Sequence, residues 1–314
     1  MARFIRFSEH GGPEVLTLVE GPVPEAPAGS VVVEVRAAGV NPVDSKVRSG
    51  RRGHLDFSQP VGIGADAAGV VVAVGEGVDG VRVGDDVIVH GASGTYASHV
   101  VVKPAKLLPM PAGLGFEEAA ALGIPAGTAY QVLRSLGLRE GETLLLHAGA
   151  GAVGMAAIQF AQEWGASVVA TASPANHELL RRLGAVPVAY GPGLLDRLRA
   201  SAFDGYDVAL DAAGTDEAIE ACLELVPDRS RIATIVRMAD AEALGIRTWS
   251  SAIPSTMGPE EQRLRTEGVA EAARLAAEGR FYVEIASRYP LAQAADAQRE
   301  SEAGHPRGKI VLIP

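Results

Sequence analysis

The chain has 314 residues, 47% of them hydrophobic and 21% charged, and a formal net charge of −10. This length suits two domains, the composition is that of a globular protein, and the negative charge argues against nucleic acid as a partner. Because Cys222 is the single cysteine, an internal disulfide and a cysteine-based zinc cluster are excluded. The first residues lack the apolar core of a secretory signal and no apolar run approaches about 18 residues, so we expect a cytoplasmic protein with no membrane partner.

Residues 1–115 have the pattern of an all-β domain, because short apolar runs alternate with turns rich in Gly and Pro. The predicted strands are 31–35, 68–74, 86–89 and 97–102. From residue 116 helical segments alternate with apolar strands. The predicted helices are 116–122, 127–136, 152–164, 174–183, 194–201, 216–225 and 259–278. The predicted strands between them are 143–147, 167–171, 187–190, 207–211 and 231–236.

The strict alternation of strands and helices predicts a parallel, doubly wound sheet with right-handed crossovers. The tail returns to β character at 281–285 and 309–313, and we expect it to rejoin the first domain. The predicted fold class is therefore α/β, with a discontinuous β domain of residues 1–120 and 281–314 and a doubly wound domain of residues 121–280. Residues 245–251 are predicted to form the edge strand of the second sheet, and an unprotected edge favours a homodimer.

The most informative segment is a glycine-rich turn between an apolar strand and an amphipathic helix. Its glycines are Gly149, Gly151 and Gly154, in the spacing GxGxxG. The first permits a tight turn, the second lets backbone N–H groups approach a pyrophosphate, and the third lets helix and strand pack closely. Ala152 and Val153 begin the helix, whose N-terminus favours an anion. A glycine turn without a ligand is the alternative, but this context favours a Rossmann dinucleotide site.

The end of the second strand of this domain distinguishes NAD from NADP. An NAD site usually carries Asp or Glu about twenty residues after the first glycine, where it bonds the ribose 2′-OH. Here Ser173, Asn176 and His177 come before the first carboxylate, Glu178, and Arg181 follows. These side chains suit a 2′-phosphate better than a free hydroxyl, although Arg181 alone could equally lie on a solvated helix face. We therefore predict NADPH as the cofactor.

Further motifs follow one another in order along nearly the whole chain. They are GGPEVL at 11–16, AGVNPVD at 38–44, GADAAG at 64–69, VGDD at 83–86, GTYA at 94–97 and RGKIV at 307–311. With the glycine turn, they make the chain resemble the medium-chain dehydrogenase/reductase superfamily, in its NADPH:quinone oxidoreductase (zeta-crystallin-like) branch. The resemblance implies a GroES-like β domain, a Rossmann domain, an active site in the cleft between them, and a homodimer or tetramer.

Zinc-dependent alcohol dehydrogenases share the architecture that this resemblance implies. Their first zinc ligand is a Cys where this chain has Asn41, and their Gly-His-Glu segment is matched by Gly64, Ala65 and Asp66. Catalytic zinc needs three protein ligands of suitable type and an open position. Asp66 alone does not supply them, so we expect an enzyme without a metal.

Without a metal, the protein must orient the substrate and place a donor near the conjugated oxygen that takes up charge. The Asn41 amide is a candidate to bond the nicotinamide ribose or the substrate carbonyl, and its alternative role is to begin an Asn-Pro turn. Relatives in this branch often carry Tyr where this chain has Lys46. Lys46 is therefore a candidate ammonium donor, or simply an exposed lysine. Tyr96 is the other candidate donor, or a packing residue.

The resemblance also assigns cofactor contacts outside the glycine turn. It places Thr128 beside the nicotinamide and Tyr190 against the adenine, whereas a helix N-cap and a core position are the respective alternatives. Lys309, in the RGKIV tail, is a candidate cofactor contact or a solvated cation. His147 and Cys222 are interpreted as packed residues. Three small residues after the fourth Rossmann strand are expected on the adenine-ribose side: Ala212, Ala213 and Gly214.

The leading hypothesis is a zinc-independent reductase that passes hydride from NADPH to a small-molecule quinone or enone. An enoyl reductase acting on a thioester or a polyketide-like intermediate is the alternative within enzymes. A non-catalytic NADPH-binding protein is the alternative from another class, since position 46 lacks the usual Tyr. Consumption of NADPH with a quinone or an enone would separate this last hypothesis from the first two.

Overall fold

The computed structural model describes residues 1–53, 55–201, 205–250, 256–304 and 306–314. They form two compact units. Unit 1 comprises Met1–Ile124 and Val269–Pro314, and unit 2 comprises Pro125–Gly268. The predicted domain boundaries, after residue 120 and before residue 281, lie near these positions but do not coincide with them. A long helix spans each place where the chain passes from one unit to the other.

The elements of the described chain are numbered in order. The strands are β1 (Ala2–Phe7), β2 (Thr17–Gly21), β3 (Val31–Val40), β4 (Val61–Gly62), β5 (Asp66–Val74), β6 (Asp86–Val89), β7 (His99–Val102), β8 (Leu107–Pro109), β9 (Thr143–His147), β10 (Ser167–Ala172), β11 (Val186–Ala189), β12 (Val208–Asp211), β13 (Ile232–Thr234), β14 (Ile285–Pro290) and β15 (Lys309–Ile313). The helices are α1 (Pro42–Arg48), α2 (Phe116–Ser135), α3 (Ala152–Glu163), α4 (His177–Arg182), α5 (Leu194–Arg199), α6 (Asp216–Leu225), α7 (Ala241–Leu244), α8 (Pro259–Ala277) and α9 (Ala294–Glu302). Within the described ranges, none of these helices is both long enough and apolar enough to cross a membrane.

Unit 1 is a β unit whose main sheet has the strand order β14-β15-β3-β5-β6-β8, with β7 also paired to β3. A smaller sheet has the order β2-β1-β4. The long β3 is rich in valine, and its branched side chains pack into a core with Ile5, Phe7, Val71 and Leu312. The C-terminal strand β15 pairs antiparallel with β3, with Ile310 opposite Val40. This pairing brings Lys309 next to the end of β3.

Unit 2 contains a parallel sheet in the order β11-β10-β9-β12-β13. The first strand of the unit, β9, lies in the middle, and the chain moves outward first on one side and then on the other. The carboxyl ends of β10 and β12 therefore flank that of β9, which is the position where doubly wound sheets bind ligands. The predicted parallel, doubly wound sheet is confirmed.

Several predicted elements differ from the structure. Residues 42–48 and 294–302 form helices that the sequence analysis did not predict. The strand predicted at 281–285 is wrong, because the strand begins at Ile285 and ends at Pro290. The two helices predicted at 116–122 and 127–136 are one helix, α2, with Pro125 inside it. Pro125 has no backbone N–H to donate within the helix. The N–H of the preceding residue, Ile124, bonds the carboxylate of Asp66 at 2.8 Å.

The predicted edge strand at 245–251 is also wrong over its described residues, 245–250. Gly245 has a φ of 69° and ends α7. Arg247 then makes an isolated bridge to Ala233 instead of a continuous ladder. Ser251 lies outside the described residues. The homodimer, which was inferred from this edge, stays a prediction.

Candidate functional site

The candidate residues fall into two groups, one in each unit. Those of unit 1 are Asn41, Lys46, Tyr96 and Lys309. Those of unit 2 are Thr128, Gly149, Gly151, Ala152, Val153, Gly154, Ser173, Asn176, His177, Arg181, Tyr190, Ala212, Ala213 and Gly214. Except for Thr128 and Arg181, the second group lies at or just beyond the carboxyl ends of adjacent parallel strands.

The glycine turn of unit 2 follows β9 directly and is tied to the end of β10. The backbone N–H of Gly149 donates to the carbonyl of Thr171 at 2.8 Å, and the N–H of Ala148 faces the Thr171 hydroxyl at 3.3 Å. Gly151 then precedes the first turn of α3, which begins at Ala152. The turn therefore directs the N-terminus of α3 toward the carboxyl edge of the sheet, where an anion would be stabilised.

The three glycines of the turn meet different surroundings. A Cβ on Gly149 would lie 2.8 Å from the Cβ of Ala170, and one on Gly154 would lie 2.3 Å from the carbonyl oxygen of Ala148. A Cβ on Gly151 would come no closer than 3.5 Å to any heavy atom other than those of its chain neighbours. The folded chain itself therefore requires the first and third glycines, whereas the second leaves an open approach to the backbone.

Ala148 holds an unusual backbone conformation in this turn. Its φ is 60°, a left-handed value, and no other described residue except glycine has a positive φ. A side chain costs about 1–2 kcal/mol in this conformation. We expect Ala148→Gly to raise the free energy of unfolding by about 0.5 kcal/mol, the remainder being offset by the greater freedom of unfolded glycine. Urea unfolding would measure it.

The matched control for this substitution is Ala150→Gly, two residues later, where φ is not positive. There glycine offers no relief of strain, so we expect the free energy of unfolding to fall by about 0.5–1 kcal/mol. Equal losses in both variants would contradict the argument from strain at Ala148.

The end of β10 carries the residues predicted to distinguish NADP from NAD. Ser173 follows the strand, and its hydroxyl accepts a bond from the Asn176 amide at 3.2 Å. His177 begins α4, and its Nε2 lies 3.3 Å from the carbonyl oxygen of Ala172. Arg181, further along α4, is exposed and forms no ion pair with the described part of the chain. The structure thus brings together a hydroxyl, an amide and an imidazole, with a guanidinium on the helix that follows.

The ends of β11 and β12 supply further candidates. Tyr190 is 59% exposed just after β11, so the alternative of a core residue is wrong. Beyond β12, the Oδ1 of Asp211 accepts bonds from the backbone N–H groups of Ala213 and Gly214 at 2.9 and 2.8 Å. Its Oδ2 accepts a bond from the Thr234 hydroxyl at 2.7 Å. Sequence reasoning did not single out Asp211, although Asp at a strand end before small residues is a known turn signal.

Three other candidate or singled-out residues of unit 2 are buried: Thr128, His147 and Cys222. Thr128 lies in the interior of α2, so the N-cap alternative is wrong for it. His147 is packed between strands, with its Nδ1 3.1 Å from the Thr171 hydroxyl. Burial lowers the pKa of His147 to about 4, although Asp211 opposes the shift. Burial also raises the pKa of the Cys222 thiol. A neutral imidazole and a protonated thiol agree with their interpretation as packed residues.

In unit 1, Asn41 is a buried N-cap of α1 rather than an open turn. Its backbone N–H donates to the carboxylate of Asp44 at 2.9 Å. Its side-chain Nδ2 donates to the Oδ2 of Asp66 at 3.0 Å, and its Oδ1 accepts a bond from the ammonium of Lys309. Both ends of the amide are therefore engaged inside the unit.

Lys309 is the cation of this buried group. It is 4% exposed, so the alternative of a solvated cation is wrong. Its Nζ bonds Asn41 and lies 3.8 Å from the Oδ2 of Asp66. Burial lowers the pKa of Lys309, and the nearby carboxylates Asp66 and Asp44 oppose that shift.

Tyr96 does not have the exposed hydroxyl that a proton donor to substrate needs. It is fully buried, and its hydroxyl donates to Asp44 at 2.8 Å. Burial and the neighbouring Asp44 raise the pKa of Tyr96 well above its usual value. Burial likewise raises the pKa of Asp44 to about 7, although the bonds from Asn41 and Tyr96 and the charge of Lys309 oppose it. The structure therefore gives Tyr96 an internal partner in place of the predicted role.

Lys46 is the candidate of unit 1 that reaches solvent. It lies on α1 and is half-buried. Burial, followed by the charges of Arg52 and Arg51, lowers the pKa of its ammonium. A lysine with a lowered pKa releases a proton more readily near neutral pH, so the arrangement suits a proton donor.

The buried group of unit 1 contains two carboxylates, Asp44 and Asp66, whose role as internal acceptors the sequence analysis did not predict. Asp44 stands three residues after Asn41, which is the spacing of a capping box and could have predicted both the helix and the bond. Asp66 matches part of the zinc-ligand segment of alcohol dehydrogenases, whereas here it is an acceptor for Asn41 and Ile124. Among the residues that the structure describes, no three His, Cys, Asp or Glu side chains are grouped so that they could hold a metal ion.

Comparisons with known proteins match two family models to different parts of the chain. A family model described as an alcohol dehydrogenase GroES-like domain matches residues 27–112, and one described as a zinc-binding dehydrogenase matches residues 183–312. A quinone oxidoreductase of Pseudomonas aeruginosa is 33% identical over the full length of both chains. The crystal structure of Escherichia coli quinone oxidoreductase complexed with NADPH has a TM-score of 0.85 and 30% identity, and covers both chains completely. A structure of CurK enoyl reductase has a TM-score of 0.86 and 25% identity, and covers 99% of each chain.

Proposed function

Because the chain belongs to the medium-chain dehydrogenase/reductase superfamily, with a GroES-like β unit and a Rossmann unit, we propose that it is an NADPH-dependent reductase of quinones or of other carbonyl-conjugated double bonds. The observation that carries the proposal is the glycine turn, in which the backbone at Gly151 is open while its neighbours are closely packed. The similarity to a quinone oxidoreductase crystallised with NADPH supports this assignment.

The cofactor would be held by unit 2. The backbone N–H groups around Gly151 and the start of α3 would bind the pyrophosphate. Ser173, with Asn176, His177 and Arg181, would hold the 2′-phosphate, since no carboxylate comes before Glu178 at this strand end. Tyr190 offers an exposed ring for the adenine, the turn at 212–214 would border its ribose, and we keep Thr128 as the candidate beside the nicotinamide. Bound NADPH supplies the hydride.

The substrate oxygen then needs a proton, and Lys46 is the candidate of unit 1 whose ammonium reaches solvent. A lowered pKa brings it closer to the pH at which acid catalysis works best. Asn41 and Tyr96 would support this role from the interior of unit 1, since their polar atoms are bonded to Asp66, Lys309 and Asp44. We therefore assign proton donation to Lys46 and a supporting role to the other two.

The donor atoms of unit 1 do not fit a catalytic zinc. Asn41 presents an amide whose two ends are already bonded, and the ammonium of Lys309 lies 3.8 Å from the carboxylate of Asp66. A catalytic zinc needs three suitable protein ligands around one open site. The two carboxylates of this group, Asp66 and Asp44, already accept bonds from the chain beside a resident cation and do not meet that need. We propose that the reduction is independent of zinc.

Reduction of an enoyl thioester is the second candidate, and the similarity to CurK enoyl reductase favours it. The chemistry at the double bond would be the same, because a thioester carbonyl also takes up the charge. The two candidates differ only in the acceptor that the protein prefers.

The proposed function is tested by titrating the purified protein with NADPH and NADH in buffer with a metal chelator, and then adding acceptors. We expect NADPH to bind at least about tenfold more tightly than NADH, and to be oxidised by a quinone, an enone or an enoyl thioester. Lys46→Met should lower kcat by about tenfold to a hundredfold without changing NADPH affinity. Tight NADPH binding with no oxidation by any acceptor would support a non-catalytic protein instead.

A further inference from the structure

We propose that Lys309 is a positioning residue: its buried ammonium, bonded to Asn41 and facing Asp66, fixes the start of the helix α1 on which Lys46 lies. The inference rests on the proposed function and extends it to a lysine that acts through Asn41. It assigns a specific role to a lysine that lies 268 residues from Asn41 in sequence.

The strand register brings the three side chains together. In the β15–β3 pair Ile310 stands opposite Val40, so Lys309 comes next to Asn41 at the end of β3. On the other side of β3, Asp66 stands opposite Gly39. The ammonium, the amide and the carboxylate therefore form one row across β15, β3 and β5, with Asn41 bonded to both charged groups.

Two glycines make room for this row. A Cβ on Gly39 would lie 2.3 Å from the carbonyl oxygen of Ala120 and 2.9 Å from the Cε of Lys309. A Cβ on Gly123 would lie 2.1 Å from the Oδ1 of Asp66. Larger residues at either position would collide with a member of the row or with the backbone beside it, so the close packing depends on both glycines.

The charges of the row make Lys309 hard to replace. Lys309 and Asp66 are both buried, and a buried ion that loses its partner is strongly destabilised. The Oδ1 of Asp66 has no hydrogen-bond partner in the described structure, while its Oδ2 accepts from Asn41 and Ile124. Removing the ammonium would leave the Asn41 Oδ1 without its donor and Asp66 without its counter-charge.

The row acts on α1 through Asn41. The backbone N–H of Asn41 bonds Asp44 in the first turn of that helix, and Lys46 lies two residues after Asp44, about half a turn further along α1. The other end of α1 is held by Arg48, which bonds Glu302 at 2.5 Å. With the Asn41 anchor loosened, α1 would be held by Arg48 and by the bond from Tyr96 to Asp44. A displacement of about 1 Å at Lys46 is enough to slow a reaction strongly.

The test is a double-mutant cycle in kcat, measured with the full chain, saturating NADPH and a quinone. Its variants are Lys309→Met, Asn41→Leu and the two together, with Lys103→Met as the matched control because Lys103 is an exposed lysine. Circular dichroism melting fixes an assay temperature at which every variant is folded. We expect Lys309→Met to lower kcat about tenfold with KM changed less than about threefold, and Lys103→Met to leave both unchanged.

Because Lys309 acts through Asn41, we expect the double variant to match Asn41→Leu within about twofold. A folded Lys309→Met with a kcat within about twofold of the wild type, or a double variant as impaired as the product of the single effects, would overturn the inference. If Lys309→Met does not fold, Asp66→Asn keeps the shape of the row and removes its negative charge, and an unchanged kcat would overturn the inference equally. A wild type that oxidises no NADPH would overturn the proposed function instead.

Discussion

We expect the contribution of Asp44 to make the free energy of unfolding of the wild type fall as pH rises from about 4 to about 7, and we expect Asp44→Asn to abolish this fall. Burial raises the pKa of Asp44 from 3.8 to about 7, against the bonds from Asn41 and Tyr96 and the charge of Lys309. The folded protein therefore holds this proton more tightly than the unfolded chain. The stabilisation is fully present below pH 3.8. It declines as pH rises and is lost above about 7, at a total of about 4 kcal/mol.

The measurement is urea unfolding of the wild type and of Asp44→Asn at several pH values between 4 and 8. Asp79→Asn is the matched control, since Asp79 is an exposed carboxylate in unit 1. We expect the control to follow the wild type and Asp44→Asn to be less sensitive to alkali. A variant that loses as much stability as the wild type between pH 4 and 7 would show that folding does not raise the pKa of Asp44.

His147 contributes to the same pH range with the opposite sign. Burial lowers its pKa from 6.5 to about 4, so the folded protein holds the neutral form. Its stabilisation is fully present above pH 6.5 and is lost as pH falls toward about 4. In the wild type the two contributions partly cancel, whereas in Asp44→Asn the free energy of unfolding should rise with pH across this range. Since Asp44 lies in unit 1 and His147 in unit 2, transitions that resolve the two units should shift in opposite directions.

The sequence predicted unit 2 more completely than unit 1, and the reason is the period of its pattern. Apolar strands such as 143–147 alternate with helices such as 216–225, and the structure has both with the predicted bounds. A parallel sheet buried on both faces gives continuous apolar runs that are easy to recognise. In unit 1, residues 42–48 form a helix, whereas the local structure considered for Asn41 and Pro42, as the alternative to a functional role, was a turn. Asn before Pro is also a helix start, with proline at the first helical position.

The glycine turn could be located from sequence because its chemistry is local, within six residues of chain. The buried row of unit 1 could not, because Lys309 meets Asn41 only through the register of β15 on β3. No local pattern shows that pairing. Without it, Asn41 and Tyr96 look like open polar groups beside a substrate, although their partners are Lys309, Asp66 and Asp44. Residues interpreted one at a time therefore did not reveal the contacts that the fold makes with itself.

Two glycines of the cofactor turn also differ in this way, because Gly154 is packed against the chain itself whereas Gly151 is open to a ligand. Alanine substitutions are expected to show the difference. A Cβ on Gly154 would lie 2.3 Å from the carbonyl oxygen of Ala148 and 2.8 Å from the Cα of Gly149, both of them backbone atoms. The start of α3 would have to move, so Gly154→Ala should lower the free energy of unfolding by about 2–3 kcal/mol. A Cβ on Gly151 would meet nothing closer than 3.5 Å, and its φ of −75° suits alanine. Gly151→Ala should leave that free energy within about 1 kcal/mol of the wild type.

NADPH affinity should respond differently from stability in these two variants. If the pyrophosphate approaches the backbone at Gly151, the added methyl group occupies the space between them, and the Kd for NADPH should rise by at least about tenfold in Gly151→Ala. Urea unfolding without cofactor and fluorescence titration with NADPH measure the two quantities separately. If Gly151→Ala has both the stability and the NADPH affinity of the wild type, the phosphates bind elsewhere. The added methyl group would then have blocked no contact between the phosphates and the turn. Full stability in Gly154→Ala would mean that α3 can shift without cost, and that its close packing on the turn does not hold the helix N-terminus in place.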